Sequence, residues 1–303
     1  MIEVLRTLWN MLPSTLMMAA PILIAATGGL ICERAGVVNI ALEGLMVIGA
    51  MTAATTHVLL ESSFGLSMPL AFFLAAFMGC FFSLIHAFAS ITLKADQIIS
   101  GTGINLLSLG ITMFFCQLIF HADRTHNFRM GMLAVRGIYP TAWIALGILG
   151  LTAFMLYKRP WGLRLRAAGE HPQALASAGV NVIKMRYTAV LISGALAGLA
   201  GASVVLTQDI QFTVNTINGK GFIALAALSF GRWLPLGILG SSFLFGFSSA
   251  LAVNIINIER FRVLPSDFFS LLPYLITLLT LVIFSGKDYA PKAVGQPYDK
   301  GKN

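Results

Sequence analysis

The chain has 303 residues, of which 57% are hydrophobic and 11% are charged, with a formal net charge of +8 and a mean hydropathy of +0.83. A soluble domain carries about 25% charged residues, so this composition excludes the soluble globular class. The sequence contains no Lys/Arg run with interleaved aromatic residues, which excludes a nucleic-acid interface. The net positive charge is instead typical of a membrane protein that keeps its basic residues on the cytoplasmic side.

Apolar segments recur along the whole chain without β-barrel alternation, so helices must span the membrane. The first, residues 11–31, has the length of about 20 residues that a spanning helix needs, which is too long for a signal-peptide core. Segment 221–231 is too short to cross alone unless it is broken or extends into its neighbours. We predict an all-α integral membrane protein with one domain over residues 1–303, a polytopic bundle of about 8–10 transmembrane helices, some broken or re-entrant. The predicted segments are 11–31, 38–56, 68–91, 99–120, 140–157, 187–207, 221–231, 235–255 and 268–285.

The stretch ICERAGVVNIALEGLMVIGAM, residues 31–51, keeps charged and amide groups inside an apolar region. We interpret residues 32–38 as a polar break between two helices. Glu33 and Arg34 lie in this break, where they either form an ion pair or anchor the chain at the membrane interface.

Four polar residues in or beside the apolar segments are candidates for a solute pathway. Asn39 is predicted to be the N-cap of a new helix with Glu43 in its first turns, where the helix dipole favours a carboxylate. An ionisable group inside a membrane also indicates function, so pathway lining and helix-end architecture both stay open for Glu43. Gln97 and Asn105 can hydrogen-bond a nucleobase or a sugar, or hold helices together. The hypothetical substrate pathway is therefore Asn39, Glu43, Gln97 and Asn105, with no catalytic residue.

Charge in the connecting segments predicts the orientation. Residues 158–186 carry six Lys/Arg against Glu170, and the tail 286–303 carries four lysines against two aspartates. By the positive-inside rule both segments are cytoplasmic. Segment 121–139 falls on the outer side, although its three arginines against one aspartate run against that rule. The other segments predicted to lie outside are 57–67, 208–220 and 256–267.

The side of the N-terminus depends on how many segments cross completely. Nine full crossings would place it outside, whereas Arg6 favours the inside. A broken or re-entrant segment would remove this conflict, and the best candidates are 38–56 and 221–231.

The long cytoplasmic segment 158–186 exceeds the few residues that a simple turn between helices needs. Within it, residues 172–178 are predicted to form a short helix, with Pro172 at its first position, His171 at the capping position and Gly179 after its end. Seven residues give about 10 Å of helix, which is marginal in water, so something must hold it. Leu175 amid alanines suits a groove in a partner protein better than a membrane surface, which favours bulkier apolar residues.

Several stretches resemble one transporter family. RAAGEHPQALASAGVNVIKMRYTAVLISGALAGLAGA (166–202) resembles the cytoplasmic coupling region of ABC importer permeases, in the branch that serves branched-chain amino acids, ribose-type sugars and nucleosides. ERAGVVNIALEGLMVIGA (33–50) resembles the signature of the shorter permease subunit of nucleoside-type importers. KADQIISGTGINLLSLG (94–110), GFIALAALSFGRWLPLG (221–237) and SGKDYAPKAVGQPYDKG (285–301) are similar to the same subgroup.

The resemblance implies an importer in which two permease chains form the pathway. Two ATP-binding cassette domains dock on the cytoplasmic coupling helices and use ATP and Mg, while an extracytoplasmic binding protein delivers the solute. A second, longer permease is the expected partner, although a homodimer stays open. The location implied is the bacterial plasma (inner) membrane, with a multi-pass chain and a cytoplasmic C-terminus. The coupling residues implied are Arg166, Gly169, Glu170, His171, Leu175 and Gly179. Gly169, Glu170 and Gly179 match the family's coupling pattern, whereas His171 stands where Asn is common.

Motifs for catalysis are absent from the sequence. It contains no G-x-x-x-x-G-K-[S/T] loop, HExxH, G-x-S-x-G or Cys cluster, so we expect no enzyme, no cofactor and no metal on this chain. Cys32, Cys80 and Cys116 have no paired spacing. The expected solute is a nucleoside or purine-like compound; riboflavin, simple sugars and branched-chain amino acids stay open. An ATPase-independent secondary transporter is the alternative from another class. Such a transporter needs a network of ionisable residues in the middle of the membrane, and here only Glu43 and His86 come close to that position.

Overall fold

The computed structural model describes residues 2–255, 271, 275, 278–279, 282 and 289–299, without the side chains of residues 2–10, 63, 64 and 255. The described residues form ten α-helices, and a π-helical turn, Phe88–Thr92, extends the third of them. Their bounds are α1 Ile2–Arg34, α2 Leu42–Leu59, α3 Phe64–Ala87, α4 Gln97–Phe120, α5 Pro140–Lys158, α6 Pro160–Glu170, α7 Pro172–Ser177, α8 Val182–Thr207, α9 Lys220–Phe230 and α10 Pro235–Ile255.

Within this part of the chain, seven helices are long and apolar enough to cross a membrane: α1, α2, α3, α4, α5, α8 and α10. The predicted all-α polytopic fold is confirmed. The short segment predicted at 221–231 is α9, whose 11 residues span about 16 Å, roughly half of a 30 Å hydrocarbon core. The predicted segment 268–285 lies mostly outside the described residues.

Helices α2 and α8 lie at the centre of the bundle, with most of their residues buried, whereas most of α3, α4 and α5 faces outward. Small residues allow α3 and α8 to meet backbone to backbone. A Cβ added at Gly198 would lie 2.1 Å from the carbonyl oxygen of Ala75, so no larger residue fits there. Close van der Waals approach of this kind is what holds helices together in lipid, where water supplies no hydrophobic driving force.

The connecting segments sort into two ends of the bundle. At the tail end, residues 92–98, 158–186 and 231–234 meet the C-terminal residues 289–299; one contact is the ion pair of Lys94 with Asp299 at 3.1 Å. At the loop end, residues 57–64, 121–139 and 208–219 meet one another. The grouping agrees with the sides predicted for these segments, and segment 256–267 lies outside the described residues.

The start of α1 belongs to the loop end. The side-chain amide of Gln208 donates to the carbonyl oxygen of Met17 at 3.2 Å, and Asn254, at the end of α10, donates to the hydroxyl of Ser14 at 3.3 Å. Residues 11–17 therefore lie at the opposite end from residues 289–299.

Candidate functional site

The polar break is present, but it lies at residues 35–41, after α1 has ended at Arg34. The prediction that Asn39 caps the following helix is wrong. The N-cap position is Ala41, which has no side-chain hydrogen bond. The fully buried Asn39 instead donates its amide to the hydroxyl of Ser193 in α8 at 2.9 Å.

Asn105 of α4 supplies the cap that Asn39 does not. Its Oδ1 accepts the backbone N–H of Gly44 at 2.8 Å, and its Nδ2 donates to the carbonyl oxygen of Ile40 at 3.0 Å. Ile40 and Gly44 are four residues apart, so an uninterrupted α-helix would join these two groups to each other. The amide of Asn105 completes the first turn of α2 from a neighbouring helix.

The backbone N–H and carbonyl groups of Val38, inside the break, also form hydrogen bonds with side chains from other helices. Its N–H donates to Oε1 of Gln97 at 2.7 Å, and its carbonyl oxygen lies 2.9 Å from Nε2 of His86. Nδ1 of His86 lies 3.0 Å from the hydroxyl of Ser100. Nε2 must therefore donate, because a carbonyl oxygen can only accept. Backbone groups buried away from water require such partners, so Gln97 and His86 hold the break in place.

Glu43 lies in the first turn of α2, as the sequence predicts, but it caps a different helix. Its Oε1 accepts the N–H of Gly219 and its Oε2 accepts the N–H of Gly221, each at 2.7 Å. These are the orphan donors at the start of α9, where the helix dipole favours negative charge.

Two helices therefore begin at Glu43 and run in opposite directions, α2 toward the loop end and α9 toward the tail end. The site is not sealed in the isolated chain. Ile40, Glu43 and Asn105 are only partly buried, and the side chain of Phe222 is 50% exposed. We refer to Ile40, Glu43, Asn105 and Phe222 as the broken-helix face.

The end of α1 connects the break with the tail end. The indole N–H of Trp233 donates to Glu33 at 2.6 Å, and Arg34 donates to the carbonyl oxygen of Trp233 at 2.8 Å. The expected ion pair between Glu33 and Arg34 is not formed, because successive residues of a helix point in different directions. Arg34 instead lies 3.9 Å from the carboxylate of Glu170, in the predicted coupling segment.

The short helix predicted at 172–178 is α7, which ends at Ser177 and is followed by Gly179 with a φ of +80°. The interpretation of Leu175 as a projecting residue is wrong, because its side chain is 8% exposed and packs into the chain's own core. A six-residue helix cannot hold itself in water, so its largest apolar side chain anchors it. The residues of α7 that face outward are Gln173, Ala174 and Ser177.

A groove of about 600 Å³ runs along α6 and α7, and Leu175 forms part of its floor. Glu170, His171 and Ala174 line it, whereas Arg166 stacks over the ring of Tyr157 at 4.9 Å from its centroid. The groove is open in the isolated chain, so α6 and α7 offer a concave surface at the tail end.

The packing of the C-terminal residues against the coupling segment is a feature that sequence reasoning missed, although charge and the resemblance of 285–301 had marked the tail. The N–H of Ala293 donates to the carbonyl oxygen of Gly169 at 2.8 Å, and Arg186 donates to that of Gln296 at 2.8 Å. Gly169 also touches α1, since a Cβ there would lie 2.4 Å from the carbonyl oxygen of Arg34. The tail, the coupling segment and the end of α1 are therefore packed together.

No group of three or more His, Cys, Asp or Glu side chains that could hold a metal ion occurs in the part of the chain that the structure describes. Cys32, Cys80 and Cys116 are free thiols. The arrangement offers a broken helix pair and a groove.

Comparison with known proteins identifies a family. The family model for the permease component of branched-chain amino acid transport systems matches residues 11–281. The guanosine ABC transporter permease NupQ of Bacillus subtilis is 41% identical, covering 99% of both chains. The nucleoside ABC transporter permease NupC of Lactococcus lactis is 36% identical, covering 99% of this chain and 100% of its own. A putative glucose ABC transporter permease of Haloferax volcanii, TsgC13, is 34% identical over 81% of this chain and 77% of its own.

Proposed function

The chain belongs to the family of branched-chain amino acid transport system permease components and is a multi-pass permease subunit of an ABC importer; on that premise we propose that its solute is a nucleoside. Two full-length relatives named for guanosine and nucleoside transport, at 41% and 36% identity, support this solute. The relative named for glucose covers less of the chain and is less similar. A simple sugar is therefore the second candidate.

The observation that carries the mechanism is the chain of contacts from the groove to the broken-helix face. Glu170 at the groove lies 3.9 Å from Arg34, the last residue of α1. The break that follows Arg34 leads directly to Glu43 in the first turn of α2, and Glu43 in turn caps α9. A displacement of α6 and α7 therefore has a short, packed route to both helices that begin at Glu43.

We assign the groove and its surroundings to the binding of a separate ATPase subunit, which would use ATP and Mg. The proposed coupling residues are Arg166, Gly169, Glu170, His171, Leu175 and Gly179. Of these, Arg166 and Leu175 contact this chain and would hold the segment in place. ATP-driven closure of the partner would move this segment, and the motion would open the broken-helix face to one side of the membrane or the other. This chain would supply no catalytic group.

The solute pathway is proposed to run along the broken-helix face, beside a second, related permease chain. Asn39, Glu43, Gln97 and Asn105 would set the geometry of this pathway, since each bonds to backbone or side-chain groups around the break. An extracytoplasmic binding protein would deliver the solute at the loop end. This assignment gives one permease domain over residues 1–303 in a bacterial plasma (inner) membrane, with the coupling segment 158–186 and the tail 286–303 in the cytoplasm.

Uptake by cells tests the solute. A strain lacking this chain should lose the uptake of labelled guanosine and regain it when the chain is restored on a plasmid. Unlabelled nucleosides should compete with the label, whereas glucose, riboflavin and leucine should not. Loss of glucose uptake with guanosine uptake intact would overturn the nucleoside assignment and favour the sugar.

A further inference from the structure

A second groove, of about 380 Å³, opens on the outer surface of the bundle between α5 and α8. Ile31 of α1 is 4% exposed and forms its floor, whereas Leu151 of α5 is 63% exposed and forms part of its rim. The remaining lining residues are Thr152 and Met155 of α5, Trp161 of α6, and Thr188 and Ile192 of α8. None of these residues lines the groove along α6 and α7, so the two grooves are separate.

The groove lies in one half of the membrane, next to the tail end. Helix α5 ends there at Lys158, and α8 begins there at Val182. Leu151 precedes Lys158 by seven residues and Ile192 follows Val182 by ten, so the lining reaches about 10–15 Å along the two helices. That length stays within half of a hydrocarbon core about 30 Å thick. Trp161 belongs to a residue type that concentrates at the membrane interface, which places the mouth of the groove at the level of the lipid headgroups.

A lysine stands at the mouth on each side of the groove. Lys158 follows Met155 by three residues and Lys184 precedes Thr188 by four, so each lysine shares a helix face with a lining residue and lies one turn nearer the tail end. Both lysines are exposed. No carboxylate of the described residues forms an ion pair with either of them. The mouth of the groove is therefore positively charged.

The combination of an apolar groove with a basic mouth favours one class of occupant. A soluble anion could meet the two lysines but would leave the apolar walls uncovered. A neutral lipid could cover the walls but would leave the lysines without a counter-charge. A phospholipid with a net negative charge matches both parts, because lysine binds phosphate as a point charge and basic residues at the ends of membrane helices attract anionic lipids.

We propose that this groove binds one anionic phospholipid of the phosphatidylglycerol class. Its phosphate lies between Lys158 and Lys184, and one acyl chain runs between Leu151 and Ile192 over Ile31. The two lysines stand near opposite ends of the coupling segment 158–186, so a lipid held by both ties the ends of that segment together. The site requires only that the chain spans a membrane, and it does not depend on which solute the chain transports.

The test is native mass spectrometry of the complete importer, incubated with equal amounts of phosphatidylglycerol and phosphatidylcholine that carry the same acyl chains. The double variant Lys158→Gln with Lys184→Gln should weaken the binding of phosphatidylglycerol roughly tenfold and leave that of phosphatidylcholine unchanged, because two basic groups near the phosphate are lost. The matched variant Lys158→Arg with Lys184→Arg keeps the charge and should stay within about twofold of the unaltered importer. Lys292→Gln removes an exposed charge from the tail, outside the groove, and should have no effect.

A steric variant tests the acyl chain independently of the charge. Thr188 is exposed, and its hydroxyl donates only to the carbonyl oxygen of Met185 in its own helix at 2.9 Å. Thr188→Trp should therefore fill the groove without lowering the melting temperature, and it should release phosphatidylglycerol although both lysines are present.

Three results would overturn the proposal. Equal affinity for phosphatidylglycerol in the unaltered importer and the Gln variant would exclude the lysines as its site. Displacement of the lipid by an excess of sn-glycerol 3-phosphate would indicate a site for free phosphate compounds. Loss of the second permease chain from the Thr188→Trp complex would show that the groove is an interface between the two permeases.

Discussion

The carboxylate of Glu43 accepts the backbone N–H of Gly219 at 2.7 Å, joining residues that are 176 positions apart. One side chain thereby belongs to the first turn of α2 and caps the first turn of α9. Both helices begin part-way along the bundle, where side chains of other elements bond to their first N–H groups. The break depends on this contact.

Replacement of Glu43 should therefore destabilise the start of α9. Glu43→Ala leaves the N–H groups of Gly219 and Gly221 without their acceptor, and hydrogen bonds to charged groups contribute about 1.5–3 kcal/mol each. We expect a loss of stability on the order of 3 kcal/mol, measured as a lower melting temperature of the purified importer, together with lost uptake. Glu43→Gln keeps one acceptor and should be intermediate. An Ala variant as stable as the unaltered chain would contradict the cap.

Gly221 provides a steric test of the same contact. A Cβ at this position would lie 2.5 Å from Cα of Glu43, so Gly221→Ala must push α9 away from α2. We expect a cost of about 1–3 kcal/mol, typical of overpacking, and impaired uptake. The matched control is Gly147→Ala in α5, where a Cβ meets nothing within 4 Å and no loss is expected. Equal behaviour of the two variants would argue against close packing at Glu43.

The amide of Asn105 should matter more than other polar groups of α4. Asn105→Ala leaves the N–H of Gly44 and the carbonyl oxygen of Ile40 unsatisfied, at about 1–3 kcal/mol each. The control is Ser108→Ala, one turn further along, because its hydroxyl donates only to the carbonyl oxygen of Asn105 in its own helix. Thermal unfolding of both variants should show the larger loss for Asn105. A larger loss for Ser108 would refute the cap from α4.

Separate positions on α7 should distinguish stability from docking. Leu175→Ala removes a buried side chain and should cost about 2–5 kcal/mol, lowering the melting temperature of the chain itself. Ala174→Arg places a large charged group in the groove without disturbing the core, so it should leave the melting temperature unchanged and prevent copurification of the ATPase. Normal ATPase binding by the Arg variant would remove the groove from the docking surface.

The contact of Glu170 with Arg34 should transmit the motion. Glu170→Gln should abolish uptake and the stimulation of ATP hydrolysis by the loaded binding protein, while the chain still inserts into the membrane. Gln173→Ala, on the exposed face of α7, is the control and should retain stimulated hydrolysis. Normal uptake by the Glu170 variant would exclude this contact as the coupling route.

The fold could be predicted further than the site. Apolar segment lengths and loop charges were sufficient for the seven long helices and for the grouping of loops at two ends, because both follow from the thickness of a membrane and its charge asymmetry. The shorter helix α6 was not predicted. The short α9 was also visible as a segment of insufficient length. The starts of the helices were harder to predict from the sequence. Asn39 has the right chemistry for an N-cap, yet Asn105 supplies the cap of α2 from another helix.

Contacts between residues far apart in the sequence also explain why the partners of Glu43 and Leu175 could not be predicted. The sequence indicates that a carboxylate suits a helix start, and the structure assigns it to α9 rather than only to its own helix. The sequence also marks Leu175 as the anchor of α7, but not whether that anchor points into a partner or into the chain. Long-range partners leave no periodic pattern along a single sequence.

The most direct test of the account is solute uptake by proteoliposomes that contain this chain with its permease, ATPase and binding-protein partners. Labelled guanosine should accumulate only when Mg–ATP is supplied on the ATPase side, and an imposed proton or sodium gradient should not replace it. Guanosine accumulation driven by such a gradient without ATP, or ATP-driven uptake of glucose but not guanosine, would contradict the account.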